Sequence, residues 1–177
     1  LVIAGAGSGK TRVITCRLAR FLAEGADPRR VLAVTFTNKA AREMKERVAR
    51  LLGRAGSDLP GMWLGTFHGL SARLLRVYGE AVGIRKDFVI YDADDQRRLM
   101  ARVLHDLNIS EKTFPVRQVV AIIDRAQNQG IGAANFPASG PLDKVIAKAY
   151  RSYEERLAAA NAVDFGGLLL WALRLGS

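Results

Sequence analysis

The opening stretch, Leu1-Val2-Ile3-Ala4-Gly5-Ala6-Gly7-Ser8-Gly9-Lys10-Thr11, decides how the chain is read. Four apolar residues with no basic segment before them run straight into a glycine-rich loop, which fits a buried strand better than a leader peptide. A helix is expected from near Lys10, with Ile14, Leu18, Phe21 and Leu22 spaced as one buried face. Strand, glycine loop and helix in that order are the context of a phosphate-binding loop. Glycines let successive backbone N–H groups turn toward one anion, and the helix adds the positive end of its dipole. Lys10 would reach the β- and γ-phosphates of a nucleoside triphosphate, and the Thr11 hydroxyl would bind the bridging Mg2+. The strict pattern asks for glycine where Ala4 stands, but Gly5 and Gly7 keep the loop pliable. The expected nucleotide set is therefore Gly5, Ala6, Gly7, Ser8, Gly9, Lys10 and Thr11, with Lys10 and Thr11 the catalytic candidates and Thr11 the metal ligand.

Working outward, residues 31–36 read as a second strand, β-branched and nearly continuously apolar, as a parallel strand covered on both faces would be. A helix follows with Ala41, Met44, Val48 and Leu51 on one stripe. Residues 62–67 form a third strand candidate and 69–82 a third helix. This strand–helix repetition argues for a parallel α/β layer with helices on both faces. The second half differs. After a short strand at 88–91, Asp92 caps a helix running to about 107. Helices at 116–128 and 142–160 follow, separated by a Gly/Pro-rich segment, and a final helix spans 164–175. The expected organisation is 1–91 α/β, 92–160 a small all-α part, and 161–177 a return to the first.

The 177 residues carry a net charge of +10. Residues 1–86 hold 16 Lys and Arg against 6 Asp and Glu, whereas residues 87–177 hold 11 against 11. All of the excess lies in the first half, which points there to a surface facing a polyanion, with solvated helix faces as the bland alternative. No apolar run approaches the roughly 20 residues of a membrane span. Cys16 is the single cysteine, so no intrachain disulfide forms. Its helical setting suggests an inert, half-buried thiol.

A phosphate loop alone does not choose among kinases, transporters, GTPases and helicases. Further segments do. AGAGSGKTRVIT (4–15) looks like motif I of superfamily 1 DNA helicases, and AVTFTNKAAREMKERV (33–48) resembles their motif Ia almost residue for residue. GTFHGLSARLLR (65–76) looks like motif Ib, and FVIYDADDQ (88–96) like the lead into an inserted helical subdomain. AVDFGGLL (162–169) occupies the place of the segment before motif II. In order and similarly spaced, these resemble the UvrD/PcrA/Rep group across nearly the whole chain.

The resemblance implies part of a RecA-like, P-loop parallel sheet with an inserted all-α subdomain, in a DNA-dependent ATPase that translocates on and unwinds DNA. It implies that ATP and Mg2+ are cofactors, with Arg12 against the adenine ring. It implies contacts to single-stranded DNA from Thr35, Phe36, Thr37, Asn38, Thr66, Phe67 and His68, the aromatics stacking on bases and the hydroxyls bonding phosphates. Core packing is the alternative for Phe36 and Phe67, and a structural hydrogen bond for His68. The resemblance further implies duplex junctions as partners of the helical part, with Arg117, Arg125, Lys144, Lys148 and Arg151 as candidates, and a place in the bacterial cytoplasm or nucleoid among repair or replication proteins.

Two features depart from the pattern. The family's usual DFDDLL is here Asp164-Phe165-Gly166-Gly167-Leu168-Leu169, with glycine at both later acidic positions. No Asp-Glu pair ends an apolar strand, so the chain by itself is expected to be an N-terminal piece that hydrolyses ATP negligibly. The rival readings are a non-catalytic DNA-binding paralogue and a P-loop kinase or other NTPase.

Overall fold

The computed structural model describes residues 9–54, 59 and 61–176. The expected first strand (1–4) and Gly5, Ala6, Gly7 and Ser8 of the loop lie outside the described residues. The chain divides after Leu70 into two compact units, each of which contains a two-stranded parallel sheet among helices.

The first unit holds α1 (Lys10–Ala23), β1 (Leu32–Thr35), α2 (Asn38–Leu51), β2 (Trp63–Thr66) and the first turn of α3 (Phe67–Tyr78). β1 and β2 pair in parallel with Thr35 opposite Thr66, so both strands end level. Such a pairing requires a crossover, and α2 supplies it, covering one sheet face with Ala41, Met44, Val48 and Ala49.

Two expectations are corrected here. The buried stripe of α1 runs through Thr15, Leu18 and Ala19, with Leu22 half-buried, while Ile14 and Phe21 are exposed. The stripe is rotated because α1 packs against α2 through small residues, whose value for close approach a count of large apolar side chains does not register. Thr15 tolerates burial because its hydroxyl donates to the Thr11 and Arg12 carbonyls, both at 2.9 Å. The same rotation leaves Cys16 exposed, not half-buried. Second, β1 is not covered on both faces by the described residues. Ala33 and Thr35 point into the core, whereas Leu32 and Val34 are exposed.

The second unit runs from the rest of α3 through β3 (Val89–Tyr91), α4 (Ala93–Asp106), α5 (Val116–Asn128), α6 (Pro141–Ala159), β4 (Ala162–Asp164) and α7 (Phe165–Leu175). α3 stops at Tyr78, four residues short of its expected end, and Gly79–Val82 tightens into a 3-10 turn at a glycine of low helix propensity. α4 begins with a capping box. Asp92 Oδ1 accepts the Asp94 and Asp95 N–H groups at 2.8 and 2.9 Å, and Asp95 Oδ2 accepts the Asp92 N–H at 3.3 Å. The core is built by Met100, Val103 and Leu104 of α4, Val119 and Ile123 of α5, and Tyr150 and Tyr153 of α6. Burial drives the phenol pKa of both tyrosines upward, so each enters the core as a neutral donor.

β4 is a three-residue strand absent from the sequence reading. It pairs in parallel with β3, Tyr91 opposite Asp164. The chain thus leaves one strand of this pair at Asp92 and returns on the other at Ala162, with α4–α6 between. At the return point Asp164 is fully buried. Gln96 Nε2 bridges it to Asp124, donating to Asp124 Oδ1 at 3.1 Å and Asp164 Oδ2 at 3.2 Å.

Desolvation raises the Asp124 pKa, the Gln96 bond partly opposes this, and repulsion from Asp164 adds to it. The folded-state value therefore lies above the unfolded one, so ionising Asp124 costs stability. That cost is absent below the ordinary carboxylate range near ~4 and complete once pH exceeds the raised value. Asp124→Asn, which keeps an acceptor for Gln96, is expected to raise stability at neutral pH, with the gain vanishing as pH falls below about 4 in urea denaturation series.

Candidate nucleic-acid interface

At the common end of β1 and β2 the chain does the same thing twice. Each strand ends in threonine, an aromatic follows, and a helix starts within three residues. Phe36 is 91% exposed and Phe67 50% exposed, and their rings approach to 5.8 Å between centroids at 54°. The core alternative for these two aromatics does not describe them. A Phe left almost wholly in water forgoes roughly 1.5–3 kcal/mol of burial, which marks the site as one kept open for contact.

The polar groups beside the rings are arranged by the turns. Thr37 caps α2, its hydroxyl accepting the Ala40 N–H at 3.1 Å, and the Thr66 hydroxyl accepts the Gly69 N–H at 3.2 Å. Asn38 and Lys39 are exposed in the first turn of α2. His68 is half-buried and engaged in contacts of its own. Thr35 departs from its expected part as a surface phosphate ligand. It is buried, and its hydroxyl donates inward to the Thr37 carbonyl at 3.1 Å and, longer, toward the Gly65 carbonyl at 3.5 Å. It shapes the turn that presents Phe36.

The chemistry of the caps separates the two units. α2 and α3 start with neutral hydroxyl caps and no acidic residue in the first turn. Their positive dipole ends stay unneutralised, with Lys39 close by. In the second unit α4 and α7 start with carboxylate caps, Asp92 and Asp164, which already answer that charge. An anion is therefore welcomed at the ends of β1 and β2.

α1 starts in the same anion-ready way. Gly9 sits at φ 80°, a left-handed conformation that glycine adopts without strain, and no side chain caps the helix. The first turn is free of acids, and Lys10, Thr11 and Arg12 are all exposed. Among the described residues no group of three or more His, Cys, Asp or Glu side chains could hold a metal. No helix of the described residues is long and apolar enough to cross a membrane.

In the second unit Arg117, Arg125, Lys144, Lys148 and Arg151 are all exposed. Exposed His105 meets Asp106 at 3.0 Å, and Asp106 also accepts from Arg156 at 2.7 Å. These two bonds, His105 first, hold the Asp106 carboxyl below its usual range. Gln96 and Gln127, the buried amides around Asp164, were not singled out in the sequence. The available signal was a glutamine interrupting the apolar face of each helix, four residues before Met100 and four after Ile123.

A family model described as the UvrD/REP helicase N-terminal domain matches residues 1–176. The chain is 43% identical over 177 residues to a protein of Salmonella typhimurium named DNA helicase II, and 42% identical to that of Escherichia coli. It is 39% identical over 178 residues to a Bacillus subtilis protein named ATP-dependent DNA helicase PcrA. Each match covers 99% of this chain and 24% of the relative, so the chain spans about a quarter of the length of these curated relatives.

Thr37→Ala is expected to cost about 1 kcal/mol by removing the α2 cap, with Thr37→Ser restoring it. Phe36→Ala should leave stability within about 0.5 kcal/mol, since the side chain packs so little. Thermal melts of the three variants check both statements.

Proposed function

The chain belongs to the UvrD/REP helicase N-terminal domain family, and on that premise we propose that it is the ATP- and single-strand-binding portion of a DNA helicase. In this reading residues 1–91 form part of a RecA-like nucleotide-binding domain. Residues 92–160 form a helical subdomain inserted between β3 and β4, and 161–177 return to the first domain. The parallel pairing of β3 with β4 on either side of that excursion supports the assignment.

The observation that carries the functional reading is the exposed Phe36–Phe67 pair beside two acid-free helix starts. Exposed aromatic faces suit unstacked bases, and acid-free positive helix ends with Lys39 suit the phosphodiester chain between them. Phe36 and Phe67 stack on bases; Thr37, Asn38, Thr66 and His68 bond the backbone; Thr35 holds the turn. The excess of 16 basic over 6 acidic residues in the first 86 adds long-range attraction.

ATP binds at the other glycine-started helix. Gly5, Ala6, Gly7, Ser8 and Gly9 supply the glycine-rich sequence for the phosphates, Lys10 would bond the β- and γ-phosphates, and Arg12 would lie against the adenine. Thr11 holds Mg2+, which when bound neutralises charge developing on the transferred phosphoryl group. The fit rests on the left-handed Gly9 and the acid-free first turn of α1. The relatives are named as DNA helicases, and duplex junctions as the substrate and repair or replication as the setting belong to the same proposal.

The test uses the full-length protein. ATP turnover should rise on adding single-stranded DNA, and DNA-independent phosphorylation of a small acceptor would sink the reading. Lys10→Ala is expected to abolish turnover while leaving most single-strand binding. Phe36→Ala and Phe67→Ala should each weaken single-strand binding by about 1–3 kcal/mol in fluorescence titrations. Binding by the basic half should also fall steeply with added salt.

A further inference from the structure

Asp164 lies where β4 becomes α7, and its carboxylate collects donors from four helices. Gln96 of α4 donates at 3.2 Å and Tyr153 of α6 at 2.8 Å, both to Oδ2. Gln127 of α5 donates at 3.2 Å to Oδ1 and 3.3 Å to Oδ2, and the Gly167 N–H of α7 donates at 2.7 Å to Oδ1. Gln96, Gln127, Tyr153 and Asp164 are all buried. Each bond is therefore made away from water, where it is electrostatically stronger and costlier to break.

The topology gives this cluster a mechanical meaning. The α4–α6 excursion leaves β3 after Tyr91 and returns into β4, and Tyr91 and Asp164 stand opposite each other in the strand pair. Two adjacent feet leave rotation about the strand ends as the motion that packing of α4–α6 on β4 and α7, and the bonds to Asp164, must restrain. Bonds from α4, α5 and α6 to one fixed carboxylate remove that rotation, since turning the excursion as a body stretches all of them together.

The two glycines that depart from the family's DFDDLL belong to the same cluster. A Cβ at Gly166 would collide with the Gln127 amide, and one at Gly167 would come within 2.5 Å of Asp164 Oδ1. Carboxylates at 166 and 167 would also set further negative charge against an already buried one. In this chain the glycines clear the space through which Gln127 reaches Asp164.

We propose that Asp164, oriented by Gln127, is a positioning residue that locks the α4–α6 excursion to the β4–α7 junction, so that displacement of one is delivered to the other. In the helicase reading, on which this functional half rests, the lock couples duplex engagement by the excursion to the rest of the motor.

The experiment uses the full-length protein, freed of other cysteines, with spin labels at the exposed positions Lys148 of α6 and Leu173 of α7. The unmodified cluster should give one narrow interspin distance distribution. Asp164→Asn turns one accepting oxygen into a donor that faces donors, and the narrow distribution should be lost. Tyr153→Phe and Gln127→Met each remove donors at near-constant volume and should broaden it partially; these two decide the matter if Asp164→Asn does not fold. The second readout is base pairs opened per ATP consumed, which should fall in all three variants while single-strand-stimulated ATP turnover is kept. Distributions as narrow as the unmodified protein's, or an unchanged ratio of opening to turnover, would overturn the proposal. Absence of DNA-stimulated turnover in the unmodified protein would instead overturn the helicase reading, leaving the distance measurement to judge the lock.

Discussion

Every described strand in this protein is parallel to its partner, and a parallel strand must hand the chain to a connection at its end. The handover exposes the first N–H groups of a helix, which have no partner within the helix itself. That constraint is met four times by a side-chain oxygen: Thr37, Thr66, Asp92 and Asp164. The choice of oxygen decides what each helix start can do next. A hydroxyl satisfies the donor and leaves the dipole charge in place, whereas a carboxylate satisfies both.

The division of labour between the two units follows from that choice. Hydroxyl caps and an exposed aromatic pair fall in the first unit, and the whole of the basic excess lies within residues 1–86. Carboxylate caps fall in the second unit, where Asp164 is turned inward and becomes the anchor of a bundle. The same local device, a capped helix after a parallel strand, thus presents a surface to an anion in one place and organises a core in the other. The UvrD/REP family match runs across both units, over residues 1–176.

Much of this was legible along the chain. α5 is read at its observed limits of Val116–Asn128, because an apolar stripe of period 3.6 ends cleanly against Gln129-Gly130. Asp92 announces its capping box through Asp94 and Asp95. β4 is invisible, because three residues carry no period and its identity as a strand comes only from pairing with β3 seventy residues earlier. The buried stripe of α1 was misplaced by one position because Thr15 and Ala19 bury through fit against α2, and fit between helices is not a property of one helix.

By itself the sequence determined the order of the seven described α-helices and of three of the four described strands, the glycine pattern before Lys10 and Thr11, the segregation of charge, and the motif at 33–48 that names the family. These depend on neighbours a few residues apart, where propensity, capping and periodicity operate. Only the tertiary structure decided that Phe36 and Phe67 stand in solvent as a pair, that Thr35 turns inward, and that Gly166 and Gly167 make room for Gln127 at Asp164. The aromatic pair and the Gln127–Asp164 bonds join side chains 30 or more residues apart, and the burial of Thr35 depends on the neighbouring strand; which groups meet is decided by strand register and helix packing.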